Sequence, residues 1–361
     1  MEKYRVGIVG ATGMVGQRFI SLLKDHPWFE VNCVAASARS AGKTYREAVG
    51  ERWAFSWEIP EKVAGMTVVD AADIDEVSKH VDFVSCAVDM KKDEIRALEE
   101  AYAKHEIPVV SNNSACRGIE DVPMVVPEIN ADHLAVIEAQ KKRLGTKNGF
   151  IAVKPNCSIQ SYVPALTPLL DFEPEKVSVC TYQAISGAGK TFKTWPEMVD
   201  NVIPYIGGED EKSENEPLKL WGHVEDGKIV NAALPVISAQ CLRVACSDGH
   251  MAAVSVSFKK KPTIEQIKER WANYETEAQR LELPSAPKPF LQYFEDPSRP
   301  QTRLDRDFQN GFGVSIGRLR EDKLFDYRFV CLSHNTVRGA AGGGILTAEL
   351  LCRKGYIPHR V

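Results

Sequence analysis

The sequence predicts an α/β chain of two domains, the first built on a parallel sheet of the Rossmann type and the second α+β with a mainly antiparallel sheet. Three observations carry this expectation. Tyr4-Arg5-Val6-Gly7-Ile8-Val9 is a short apolar run of the buried parallel-strand kind, and it enters Gly10-Ala11-Thr12-Gly13-Met14-Val15-Gly16. Val15, Phe19, Leu22 and Leu23 then recur at helical spacing, so the glycines sit in a strand–turn–helix context. Beyond residue 175 the strand-like runs alternate polar and apolar residues, the signature of a sheet with one solvated face.

The chain has 361 residues, 44% hydrophobic and 26% charged, with a formal net charge of −4. Two domains of ordinary size fit that length. The slightly acidic balance gives no sign of a general affinity for nucleic acid or anionic membrane, and neither is expected as a partner. No apolar run is long enough to span a bilayer, and no signal-peptide pattern precedes the first strand. Nine cysteines are scattered without a CxxC, which reads as reduced thiols in a cytoplasmic protein. Cys157, His223, His250 and His334 lack the short spacing of a zinc site, so no metal is expected. The GxSxG match, Gly313-Val314-Ser315-Ile316-Gly317, falls inside a strand-like run and not at a strand-to-helix elbow, which disfavours a serine hydrolase.

Taken in order, the GxxGxxG turn is a variant dinucleotide-binding turn. Gly10, Thr12, Gly13, Met14 and Val15 bring the backbone close to a pyrophosphate at a helix N-terminus. Phe29 to Ala36 reads as the second strand. Where an acidic residue would hold the ribose 2′-hydroxyl of NAD, the chain has Ser37-Ala38-Arg39-Ser40-Ala41-Gly42-Lys43. With no carboxylate to repel a 2′-phosphate, and with Ser37, Arg39 and Ser40 able to bind one, the loop points to NADP. Val81 to Val88 is a further buried strand, Glu94 to Lys104 a helix, and Ile107 to Val110 the next strand. That strand ends in Ser111-Asn112-Asn113-Ser114-Ala115-Cys116-Arg117, at the end of an open sheet where ligands bind. Arg117 is the long cation of the loop.

Phe150 to Val153 is a strand that stops at Lys154-Pro155-Asn156-Cys157-Ser158-Ile159-Gln160. A helix restarting near Ser158 places Cys157 at a helix N-terminus, where the thiolate is favoured and covalent catalysis is expected. Val177 to Ile185 is an alternating strand followed by Ser186-Gly187-Ala188-Gly189-Lys190, small residues that allow close approach of a cofactor or a plain turn. The charged stretch from Gly207 to Lys219 reads as the start of a surface helix. In Arg243-Val244-Ala245-Cys246-Ser247-Asp248-Gly249-His250 a cation and an imidazole flank a turn, and His250 is a general acid/base candidate. Met251 to Phe258 is a strand, and Phe312 to Arg318 pairs with Leu324 to Cys331. The glycine-rich Asn335 to Gly344 leads into a helix expected to return to the first domain. The division is therefore 1–156 with 339–361 for the cofactor and 157–338 for catalysis.

These motifs, in this order, resemble aspartate-β-semialdehyde dehydrogenase, and more closely its archaeal/fungal-type branch. GATGMVG, SARSAGK, SNNSACR, KPNCSIQ, TYQAISGAG, IPYIGGEDEKSENEPLK, RVACSDGH and NTVRGAAGGG cover nearly the whole chain. The resemblance implies NADPH-dependent reductive dephosphorylation of L-aspartyl 4-phosphate to L-aspartate 4-semialdehyde, on the way to lysine (through diaminopimelate), methionine and threonine. It implies Cys157 as nucleophile, His250 as acid/base and Gln183 as the residue orienting the acyl intermediate. It further implies Arg243 on the substrate α-carboxylate, Arg117 and Lys219 on the phosphate, and Glu216 near the amine, with Glu209 as the competing carboxylate. Asn156 is a candidate to help hold the oxyanion. Ser186, Gly187 and Asn335 fall on the nicotinamide side, and the second domain becomes a substrate/dimerisation domain of a homodimer or homotetramer, with inorganic phosphate as co-product. Malonyl-CoA reductase shares the architecture and would keep Cys157, His250 and the NADP loop. Arg117, Glu216 and Lys219 favour the aspartyl phosphate. N-acetyl-γ-glutamyl-phosphate reductase is more distant around the nucleophile. A non-catalytic NADP-binding sensor is the alternative of another class, disfavoured by Cys157, Arg243 and His250 together.

Overall fold

The structure, a computed structural model, describes residues 2–359. Strands β1 (Tyr4–Val9), β2 (Phe29–Ala36), β3 (Val69–Asp70), β4 (Phe83–Cys86), β5 (Val109–Ser111) and β6 (Ile151–Val153) form one sheet in the order β3-β2-β1-β4-β5-β6. Every pairing in it is parallel. The strands are apolar because helices cover both faces: Val6, Ile8 and Val9 in β1 and Val109 and Val110 in β5 are wholly buried. Chain order reverses between β1 and β4, so a crevice opens there at the carboxyl edge. The helix Met14–Leu23 follows β1 and buries Gly16, Phe19, Ile20 and Leu23 on one face.

The second body holds β7 (Pro174–Gln183), β8 (Val202–Ile203), a small hairpin of β9 (His223–Glu225) and β10 (Lys228–Val230), β11 (Val236–Val244), β12 (His250–Phe258), β13 (Leu291–Phe294), β14 (Val314–Glu321) and β15 (Tyr327–Ser333). Its seven-stranded sheet runs β13-β14-β15-β12-β7-β11-β8. β7–β11 and β13–β14 are parallel and the other pairings antiparallel. The period-two burial of β12, from His250 to Phe258, shows why alternation was legible there.

The C-terminal helix Gly342–Arg353 returns to the first sheet, packing on β5 and on the helix Met14–Leu23. Gly344 permits that approach, since a Cβ there would stand 2.8 Å from the Phe19 ring. The helix Glu209–Leu220 packs on β11. It is not the solvated surface helix its composition suggests: Glu209, Ser213, Glu216 and Lys219 are all buried on its inner side.

Between β15 and the last helix, Arg338 makes a buried two-pronged pair with Glu128, Nη1–Oε1 2.8 Å and Nη2–Oε2 3.1 Å. The pair ties the turn beneath Cys157 to the loop after β5. Removing the carboxylate alone strands a buried guanidinium. Glu128→Gln is expected to cost roughly 3 kcal/mol in urea unfolding, and the double change with Arg338→Met to recover much of it. A loss under about 1 kcal/mol for the single variant would show the pair to be dispensable.

Candidate active site

The carboxyl edge of the parallel sheet supplies the cofactor half. Gly10 has φ of +89°, and a Cβ there would lie 2.2 Å from the Ala87 carbonyl oxygen, so only glycine fits the turn. Gly13 caps the helix with no side chain, Met14 and Val15 open its first turn, and that turn contains no acidic residue. Its N–H groups are thus left for an anion. Thr12, Gly13 and Met14 line a cleft of about 700 Å³ together with Arg52, Lys190 and Thr191. Ser37, Arg39 and Ser40 follow β2 at the same edge in a turn closed by the Ser40 N–H to the Ser37 carbonyl at 2.8 Å. One residue of this half escaped the sequence reading. At the end of β5, both the amide nitrogen and the oxygen of Asn112 are buried without a partner, an unmet demand of the sort a bound ligand satisfies. The glycine turn, the bare helix terminus, the carboxylate-free loop and these orphaned amide atoms fit NADP.

The thiol lies where the two bodies meet. Cys157 follows β6, and its Sγ is 3.4 Å from Nε2 of His250, the first residue of β12. The ring is wholly buried, and its Nδ1 accepts the Ala184 N–H at 3.0 Å. Ala184 in turn accepts from Arg243 Nη1 at 2.7 Å. Arg243 and Gln183 are register partners on parallel β11 and β7, which brings guanidinium and amide to the same sheet end. Gly187 serves this cluster, because a Cβ on it would stand 2.7 Å from Arg243 Nη1 and 2.9 Å from His250 Nε2. Asn335 bridges the same region, its Oδ1 accepting the Gly249 N–H and its Nδ2 donating to Ser186 Oγ, each at 2.8 Å.

The expectation that a helix terminus activates Cys157 is overturned. Asn156 Oδ1 accepts both the Ser158 N–H and the Ser158 hydroxyl at 2.7 Å, holding an Asx-type turn. The helix begins only at Val163 and is four residues long. Burial, and then Glu209, push the thiol above its ordinary value, while Lys154, Arg243 and Arg117 oppose them. Cys157 itself is partly exposed. The Ser158 N–H is spent in the turn. Asn156 is equally committed, with its N–H on Glu216 at 2.5 Å and its Nδ2 on the Glu209 carboxylate at 2.9 and 3.0 Å. Burial, followed by the Arg243 guanidinium, holds His250 well below the usual imidazole range, against a weaker pull from the Gly249 carbonyl.

Two further expectations meet a different geometry. Lys219 Nζ donates to the Arg117 and Ile119 carbonyls at 2.7 Å and to that of Val122 at 3.0 Å. An ammonium has three donors, so Lys219 has none for a phosphate, and it shapes the Arg117 loop instead. Glu216 receives Arg117 Nη1 at 2.9 Å on one oxygen and the Asn156 N–H on the other, which leaves it poorly placed for an amine. Glu209 accepts from Gln183 Nε2 at 3.2 Å and from Lys212 Nζ at 2.7 Å. Burial would raise its carboxyl, but Lys212, Gln183 and Asn156 together hold it below the ordinary value. Arg117 and Lys212 line one cavity of about 580 Å³ with Ser114 and Lys92. Among the described residues no group of three or more His, Cys, Asp or Glu could hold a metal ion. No helix among them is long and apolar enough to cross a membrane.

Comparison with known proteins agrees with this geometry. Residues 5–137 match the family model "Semialdehyde dehydrogenase, NAD binding domain", and residues 166–338 match "Semialdehyde dehydrogenase, dimerisation domain". The chain is 43% identical to an aspartate-semialdehyde dehydrogenase of Archaeoglobus fulgidus, over 98% of this chain and 100% of the relative. It is 45% identical to that of Schizosaccharomyces pombe, over 98% and 99%. The crystal structure of the Candida albicans aspartate-semialdehyde dehydrogenase with NADP superposes with a TM-score of 0.89 at 38% identity, covering 99% of this chain and all of that one. A Rossmann sheet, a thiol facing an imidazole and this likeness along the whole chain lead to one conclusion: the chain belongs to the aspartate-semialdehyde dehydrogenase family.

Proposed function

We propose that the chain carries out NADPH-dependent reductive dephosphorylation of L-aspartyl 4-phosphate to L-aspartate 4-semialdehyde, in biosynthesis of lysine, methionine and threonine. The observation that carries this is Cys157 Sγ facing His250 Nε2 at 3.4 Å, with Arg243 behind the imidazole and Arg117 beside the entrance cavity. Two fixed guanidinium groups around one thiol suit a substrate with an anion at each end.

Cys157 attacks the acyl carbon, the C–S bond forms, and the C–O bond to phosphate breaks. Arg243 takes the α-carboxylate. Arg117 takes the phosphate, with Lys212 in place of the expected Lys219. Glu209, the carboxylate whose charge acts on Cys157, takes the amine in place of Glu216. Gln183, fixed on Glu209, steadies the thioacyl group. NADPH, when bound, supplies the hydride. His250 offers Nε2–H to the oxygen as negative charge develops there, and the tetrahedral alkoxide then reforms the C=O bond as the C–S bond breaks, releasing the aldehyde and the Cys157 thiolate.

The cofactor body is taken as 1–156 with 339–361 and the catalytic body as 157–338. This is supported by the first sheet ending at Val153 and the second starting at Pro174. A cytoplasmic homodimer or homotetramer is further proposed. The dimerisation-domain match supports it, as do Val199, Val202, Tyr205 and Val236, apolar side chains exposed at and beside the β8–β11 edge.

The reaction is tested in reverse, with L-aspartate semialdehyde, phosphate and NADP, by following absorbance of the reduced cofactor. Phosphate-dependent reduction, weaker with NAD, is expected. A signal only with malonate semialdehyde and coenzyme A would replace this reading with an acyl-CoA reductase, and silence in both would leave a dinucleotide-binding protein. Cys157→Ser is expected to lower turnover by about a thousandfold or more while NADP binding persists.

Lys212→Met is expected to raise the KM for phosphate about tenfold, the worth of one charge-assisted hydrogen bond. Lys219→Met is expected to lower the melting temperature and to move that KM by less than about threefold. The opposite pattern in phosphate titrations would return the phosphate role to Lys219.

A further inference from the structure

The helix Lys92–Lys104 packs on β5 and β6, and on its buried side it carries one carboxyl, Glu99, among Ile95, Tyr102 and Ala103. Glu99 is wholly buried. Its Oε1 accepts the hydroxyl of Ser111, the last residue of β5, and also Nδ2 of Asn113 at 2.9 Å. The Ser111 hydroxyl oxygen in turn accepts the Asn113 N–H at 3.0 Å, which closes a ring of three residues. The apolar neighbours already seat the helix, and burying a carboxyl among them is costly. The bonds Glu99 makes therefore point to a role in the loop after β5.

That loop carries Arg117. Ser111 and Asn113 stand on either side of Asn112, so the Asn112 backbone is clamped through both neighbours. Its N–H donates to the Cys86 carbonyl at 2.9 Å. Its carbonyl accepts Arg117 Nη2 at 3.1 Å, while Arg117 Nη1 goes to Glu216 at 2.9 Å. A planar guanidinium held by two fixed acceptors has a fixed plane. One acceptor belongs to the helix Glu209–Leu220 and the other to the segment that Glu99 clamps. The third donor group, Nε of Arg117, is buried without a partner, and the residue lines the cavity it shares with Lys212. An unmet donor at a cavity wall is what an anionic ligand satisfies.

The charge state of Glu99 suits this use. Its Oε2 is buried with no hydrogen-bond partner. Burial raises the carboxyl, against the hydrogen bonds from Ser111 and Asn113. Glu99 thus serves as a neutral acceptor, and having no exposed atom it reaches the reaction only through the loop.

We propose that Glu99 is a positioning residue for phosphate binding: by holding Ser111 and Asn113 it sets the Asn112 carbonyl, and through that carbonyl the plane of the Arg117 guanidinium. This deepens the reading of Arg117 as the phosphate-binding residue and rests on it. Arg117 is gripped from both sides of the cavity, by Glu216 directly and by Glu99 through the loop.

The test is steady-state kinetics of the full-length protein with L-aspartate semialdehyde, NADP and varied phosphate, with a melting temperature recorded for each variant. Glu99→Met removes the acceptor and is expected to raise the KM for phosphate about tenfold while kcat stays within about threefold. Glu99→Gln keeps an acceptor oxygen in that place and is expected to hold the KM within about threefold of wild type. Asn113→Ala removes one of the two bonds and is expected to raise the KM about threefold to fivefold. It replaces Glu99→Met, also in the double variant, if the latter does not fold. Because Glu99 acts through Arg117, the effects are expected not to add: Glu99→Met combined with Arg117→Met keeps the phosphate KM of Arg117→Met alone, within about threefold. A lowered melting temperature with an unchanged phosphate KM in Glu99→Met and Asn113→Ala overturns the proposal. So does full additivity in the double variant, or a Gln variant no better than Met. Arg117→Met by itself is scored separately. An unchanged phosphate KM there sinks the phosphate reading of Arg117, and this inference with it. A raised KM in Arg117→Met, with none in Glu99→Met and Asn113→Ala, sinks this inference alone.

Discussion

Two carboxylates from one helix set the position of nearly every polar group around Cys157. Glu209 and Glu216 are seven residues apart on the helix Glu209–Leu220 and therefore share a face. Glu209 holds the Asn156 amide and Gln183, and Glu216 holds the Asn156 N–H and Arg117. The turn carrying Cys157, the end of β7 and the loop after β5 are thus tied to one rigid element. Each carboxylate is buried, and each is answered by donors on several sides, as low local dielectric demands. Lys219, one turn beyond Glu216, closes the arrangement from beneath by fixing three carbonyls of the Arg117 loop.

The same economy explains why three lysines behave differently. Lys219 is spent on three carbonyls, whereas Lys212 gives one donor to Glu209 and lines the cavity beside Arg117. Lys154 is as deeply buried as Lys219 but has one hydrogen bond and no carboxylate. Identical side chains thus have distinct chemistry, set by how many of their donors the fold consumes. Burial and Glu209 raise the thiol, and Lys154, Arg243 and Arg117 oppose them.

The imidazole is constrained in a comparable way. One backbone N–H, from Ala184, selects the tautomer of His250, and Arg243 holds the same residue through its carbonyl. Gly187 is required because any side chain there would strike both the ring and the guanidinium. Asn335 then links the Gly249 peptide to Ser186. These are links between β7, β11, β12 and the segment after β15, and they form only once the second sheet has closed.

What the sequence determined by itself was local. The strand–turn–helix at Gly10 to Gly16, the alternation of β7 and β12, and the return of the C-terminal helix are periodicities within a dozen residues, and they survived folding. Cys157, Arg243 and His250 were legible as chemistry-bearing residues at element ends. What only the tertiary structure decided concerns groups far apart in the chain. The side chains of Glu209, Glu216 and Lys219 lie within one short helix, and their partners come from loops and strand ends distant in sequence. No spacing rule separates one that binds a ligand from one that braces a loop. The Asn156 side chain captured the Ser158 N–H and displaced the helix expected at Cys157, an outcome that depended on Glu209 and Glu216 fixing Asn156 from across the site. The charge states of Lys154, Cys157 and His250 were likewise invisible in sequence, because desolvation and the direction of a neighbouring N–H exist only in the folded chain.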